Sequence, residues 1–194
     1  MAAIERDSLL TLEAYAKKRG EFRARVLEHK RARTIHLGEH VTLLFEDELT
    51  IRYQIQEMLR IEKAFEEGGI QDELDAYNPL IPDGSNFKAT MLIEYEDEAE
   101  RRRALAKLKG IEHSAWLRVN DFQRVIAIAD EDLERTNDAK TSAVHFLRFE
   151  LTSDMVAALK RGGALSLGID HPHYQAELPT LGLATRTSLL ADLA

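Results

Sequence analysis

Cysteine is absent from the 194 residues. Disulfides, thiolate zinc sites, cysteine-ligated iron–sulfur clusters and a cysteine nucleophile are therefore excluded. A metal cofactor would have to be a divalent ion held by histidine, aspartate or glutamate. Long apolar runs are missing as well. None approaches membrane-spanning length, and the opening stretch MAAIERDSLL lacks the apolar core of a signal peptide. A cytoplasmic protein without membrane contact is expected. Positive charge is also short: at a net −8, the surface as a whole disfavours nucleic acid and anionic membranes. Signatures of catalysis are lacking too. No Gly-x-Ser-x-Gly elbow presents a serine, and no glycine-rich dinucleotide fingerprint follows a strand. Lys140-Thr141-Ser142 looks like the end of a phosphate loop, but the glycines whose amides would cradle phosphate are not there.

What is present is an ordinary globular composition, 44% hydrophobic and 31% charged, with no internal repeat, low-complexity tract or linker. The expectation is one compact α+β domain over residues 1–194, with a mixed or antiparallel sheet whose hairpins pack on several helices. Residues 1–33 form a basic N-terminal helical segment and residues 34–194 the α+β body. From Lys17 to Arg33 the chain carries eight basic and two acidic residues, a local +6 that leaves −14 for the rest. Such a segment either lies against or faces its own acidic body, or meets an acidic partner or a phosphate.

Local patterns place the elements. Asp7 is the expected cap of the first helix, and Gly20 a point where it breaks or kinks. TIHL and HVTLLF read as two strands joined by the two-residue turn Gly38-Glu39, with Leu37 opposite His40 and His36 opposite Val41. In that register His36 and His40 point to opposite faces and form no chelate. Asp47 caps a second helix with the stripe Ile51, Ile55, Met58, Leu59 and Phe65, which Gly68-Gly69 ends. Residues 87–96 form a strand with Ala89, Met91, Ile93 and Tyr95 on one side. The segment 97–110 forms a helix, and residues 115–128 a hairpin turning at Asn120-Asp121. A polar connection follows over 130–142, with room for a short helix. The stretch 142–170 reads strand, helix, strand, with Thr152 or Ser153 as cap, and the chain closes with a loop and a last helix.

Tyr53, Glu57 and Arg60 flank the second helix's stripe at helical spacing and could line a polar pocket. With Arg33, His36 and Tyr174 they are the candidate binding residues. His145 shares a strand face with Leu147 and Phe149, the setting of a hydrogen-bonded core histidine or of a metal ligand. The stretch GIDHPHY carries the densest chemistry. His171 and His173 point the same way in extended chain, and Asp170 could ligate or orient them. Two histidines do not fill a metal site, so a further ligand would come from elsewhere, with His145, His36 and Glu57 as candidates.

The blocks KRARTIHLGEHVTLLFEDELTIRYQIQEMLRIE, IQDELDAYNPLIPDGSNFKATMLIE, KTSAVHFLRFELT and LGIDHPHY together resemble the bacterial domain-of-unknown-function family 3501, over almost the whole chain. That family brings no catalytic residues with it. The resemblance implies company with rubrerythrin-like proteins and iron–sulfur oxidoreductases. It thus implies an accessory, non-enzymatic role beside such a redox partner in oxidative-stress defence or electron transfer. The alternative is a metal- or small-ligand-binding protein or metal-dependent enzyme built on Asp170, His171 and His173.

Overall fold

In the computed structural model, which describes residues 3–137 and 139–194, the first helix starts at Thr11 rather than Asp7. The Thr11 hydroxyl accepts the Ala14 amide at 3.2 Å, and α1 runs unbroken over Leu12–Arg31. Gly20 neither breaks nor kinks it. A single glycine costs a helix only about 1 kcal/mol, less than the turns on either side supply. Only Tyr15 and Val26 of α1 are buried. The next helix, α2 (Glu48–Glu62), opens with the expected Asp47 in a reciprocal capping box with Thr50. It ends six residues before Gly68. Lys63 turns left-handed (φ 54°), and the Lys63 and Ala64 amides both close on the Leu59 carbonyl. That closure satisfies the end of the helix, so Gly68 and Gly69 fall inside a third helix, α3 (Glu67–Tyr77). Phe65 lies in the link, 72% exposed, and leaves the stripe to Ile51, Ile55 and Leu59.

Among the described residues, nine strands pair antiparallel, in two sheets. The larger takes the order β1 (Thr34–Leu37), β2 (Val41–Phe45), β3 (Asn86–Ile93), β7 (Val144–Glu150), β6 (Ile128–Ala129). The smaller takes β5 (Val125–Ile126), β4 (Ala115–Val119), β8 (Leu165–His171), β9 (Tyr174–Leu178). Helices α4 (Glu98–Lys107), α5 (Ser153–Lys160) and α6 (Leu183–Leu190) complete the fold. The period-two alternation in β3 holds: Phe87, Ala89, Met91 and Ile93 are buried, and face one core with Leu117, Leu167 and Ile169 of the smaller sheet. A second apolar cluster, with Ile51, Ile55, Leu59, Ile70 and Leu74, joins α2 and α3 to the N-terminal segment.

Three turns differ from the expected ones. The β1–β2 loop has three residues, because Leu37 pairs with Val41 and His36 with Thr42. Gly38 takes φ 70° there, and the His40 amide leaves the ladder for the Tyr174 hydroxyl. The β4–β5 hairpin is wider than a turn at Asn120-Asp121, with Leu117 opposite Val125. Buried Ala127 then carries the chain from one sheet to the other, with its amide on the Ala115 carbonyl. The HPHY stretch is a tight turn between two strands rather than a loop, since β8 runs through His171 and β9 starts at Tyr174. The polar connection over 130–142 has no helix among its described residues, and its Asp138 lies outside them.

Candidate functional site

The basic segment divides its charges. Arg33, 1% exposed, points inward: its guanidinium donates to the Phe45, Glu46 and Ser188 carbonyls and pairs with Asp192. It ties the end of α1 and the end of β2 to α6. Burial raises the Asp192 carboxyl to about 6, against the opposing pull of Arg33. His29 lies 2.5 Å from the Asp47 carboxylate. Arg19 makes a two-pronged bond to Glu57 at 2.8 and 2.9 Å. Glu57 also accepts from the Tyr15 hydroxyl and from Arg60. Chiefly through the Arg19 hydrogen bond, and despite partial burial, its carboxyl falls from 4.5 to about 2. Glu57 and Arg60 are thus engaged inside the α1–α2 contact, and Tyr53 meets Phe22 edge-on, with Lys30 above its ring.

Other α1 residues face a cleft. Lys18, Glu21, Phe22 and Arg25 recur at i, i+3, i+4 and i+7, one helical stripe. With Ser8, Leu10, Arg52 and Gln56 they line a cavity of about 350 Å³. Its far wall is rigidly built. Gln56, buried, accepts the Leu10 amide at 2.8 Å and donates to the Leu10 carbonyl at 3.3 Å. Arg52 is held by Glu48 and donates to the Ser8 carbonyl and hydroxyl. Arg25 lies over the Phe22 ring at 5.1 Å. Lys18, Arg23 and Arg25 make no ion pair among the described residues.

The remaining sequence-derived residues gather at the other turns. His36 Nδ1 bonds the Thr42 hydroxyl, which donates to Glu94. His40 stacks on Tyr95 with ring centroids 3.9 Å apart. His40 Nδ1 lies 3.1 Å from the Glu94 carbonyl, so both histidines are tied to Glu94, His36 through Thr42, in a register shifted by one residue from the expected one. Tyr174 donates its hydroxyl to the Leu37 carbonyl and accepts the His40 amide, clasping the two hairpins. Beside them lies a wider groove of about 850 Å³ lined by Glu39, Glu94, Glu96 and Glu100, with Arg101. Asp170 turns to a different partner from His171 and His173. Asp170 pairs with Arg124, whose guanidinium lies 3.8 Å from the Trp116 ring centroid. His171, buried, accepts the His173 amide at Nδ1, so its Nε2 donates to the Lys109 carbonyl. The His171 and His173 rings are 5.8 Å apart and tilted.

His145 brings in residues that no local pattern marked. It is fully buried, with Nδ1 2.6 Å from Asp130 and Nε2 near the Thr141 hydroxyl and the Ser142 carbonyl. Glu112, buried in the turn before β4, approaches Nε2 to 3.9 Å and accepts the Thr136 hydroxyl at 2.7 Å. Burial pushes the Glu112 carboxyl up, but the Thr136 bond and neighbouring histidines hold it below its ordinary value. One ligand atom from each of Glu112, Asp130 and His145 lies within 4.8 Å of the others.

No helix among the described residues is long and apolar enough to cross a membrane. A family model described as protein of unknown function (DUF3501) matches residues 3–193. The crystal structure of a protein of unknown function from Burkholderia pseudomallei K96243 is similar over 100% of both chains, at 60% identity and a TM-score of 0.95. No curated protein matches.

Proposed function

The chain belongs to the DUF3501 family, and we propose that it is a partner-binding protein whose cleft between α1 and α2 takes an acidic segment of another protein. One observation carries this reading. Among the described residues Lys18 and Arg25 make no ion pair, and they stand with Phe22 over a cavity whose opposite wall is already hydrogen-bonded. A carboxylate entering there meets cations that need not first release an internal partner, and an aromatic face supplies apolar contact. Glu21 is the one carboxylate in the lining and sets a preference for acids that approach Arg25 and Arg52. The glutamate-lined groove beside His40 repels the same partner, which orients docking toward α1. The partner class follows from the family resemblance: an oxidoreductase or rubrerythrin-like protein with an acidic surface.

Titration of the protein with an acidic iron–sulfur oxidoreductase, repeated at rising salt, tests it. Binding that weakens with salt, and weakens further in Lys18→Gln/Arg25→Gln and in Phe22→Ala, is the expected result. Binding indifferent to salt and to these substitutions, or no binding at low salt, rejects the cleft.

A further inference from the structure

We propose that Glu112, Asp130 and His145 form a closed site for one divalent transition-metal ion. The three come from the turn before β4, the residue after β6 and the second residue of β7, and the sheets bring them together. Their ligand atoms lie within 4.8 Å of one another, and drawing the longest separation in by about 1.4 Å reaches the roughly 3.4 Å spacing that tetrahedral bonds of about 2.0–2.2 Å demand. The mixed set of one imidazole and two carboxylates suits zinc, manganese or iron(II) better than calcium or magnesium.

Charge supports this assignment. Glu112 and Asp130 place two carboxylates in a buried space. The nearest guanidinium, Arg135, reaches Asp130 at 3.3 Å, but it makes a two-pronged bond to Asp132 at 2.5 and 2.6 Å, which already matches its charge. His113 lies 4.0 Å from Glu112 and is mostly exposed. A proton on His145 offsets one of the two negative charges; a divalent ion offsets both. The surroundings supply what a metal site needs around its ligands. Asp130 Oδ1 accepts the Phe146 amide, Thr136 and Thr141 donate to Glu112, and the Ser142 carbonyl stands at Nε2. Nδ1 ligates on the side where Asp130 stands, while the Ser142 carbonyl at Nε2 holds the ring proton. Asp130 itself sits at φ 50°. This site is independent of the α1 cleft, so either can fail alone.

The test uses untagged, chelator-stripped protein and cobalt(II) or zinc(II) alone. One cobalt per chain is expected, with the intense visible bands of four- or five-coordinate ion, and affinity falling at least tenfold, on the order of the effect of disturbing a metal's supporting residues, in Glu112→Gln. That variant keeps an acceptor for Thr136. Asp130→Asn should weaken binding similarly, whereas His171→Ala/His173→Ala should leave it unchanged. A wild-type spectrum equal to that of the hydrated ion overturns the site, as does binding lost in the His171/His173 variant and kept in Glu112→Gln. Should the Glu112 and Asp130 variants fail to fold, the wild-type spectrum decides by itself.

Discussion

The Tyr174 hydroxyl occupies the space that a side chain at Gly38 would need: a Cβ there would lie 2.6 Å from the hydroxyl oxygen. The same hydroxyl spans the Leu37 carbonyl and the His40 amide. Two hairpins remote in sequence are therefore closed on each other by one phenol and one missing side chain.

Tyr174→Phe should destabilise the fold by about 1–2 kcal/mol, since both backbone groups lose their partner. Gly38→Ala should cost more, about 2–4 kcal/mol, from the positive φ and the collision together. In the double variant the two losses should sum to less than their total, because removing the hydroxyl relieves part of the collision. Denaturant melts of the four proteins measure this coupling; strict additivity would show that the contact carries no strain.

Gly168→Ala should destabilise by about 1–3 kcal/mol or more. Gly168 pairs with Trp116 across β4 and β8, and a Cβ would lie 2.3 Å from the indole. Its φ is unexceptional, so this cost is purely steric. Tryptophan fluorescence should report the shifted ring, and an unaltered spectrum with unaltered stability would refute the close approach.

Acid should weaken the α1–α2 contact through Glu57. Its folded carboxyl titrates at about 2 against 4.5 when unfolded. The stabilisation is thus complete above 4.5 and lost as pH falls from there toward 2. Arg19 and Arg60 are partly exposed, and solvent screening reduces the contribution to about 1–2 kcal/mol. Stability of Glu57→Gln should show less of this decline. Parallel pH profiles for the two proteins would count against it.

Gln56→Leu should release the N-terminal segment, because the Leu10 amide and carbonyl lose both partners. The expected cost is about 1–3 kcal/mol. It should be seen first as faster exchange of the Leu10 amide and as cleavage within residues 3–11, with the sheets still protected.

Much of the architecture was legible locally. Asp47 as a cap, the alternation of β3 and the placement of Thr152 at α5 all depend on groups a few residues apart. The errors came where a distant group decided. The β1–β2 register moved by one because Tyr174 took the His40 amide. Gly68 and Gly69 looked like a helix stop, but Lys63 had already turned the chain and closed it on Leu59.

The sequence by itself determined the α+β class, the positions of most helices and strands, and the exclusion of every chemistry that needs cysteine. Hydrophobic period, capping and residue inventory are properties of neighbouring residues or of none. Only the tertiary structure decided which charges are engaged. It turned Arg33 inward, paired Arg19 with Glu57 and left Lys18 and Arg25 over a cleft. It separated Asp170 from His171 and gathered Glu112, Asp130 and His145 from three segments. Burial and electrostatic pairing act through space, and no spacing along the chain encodes them until the sheets have closed.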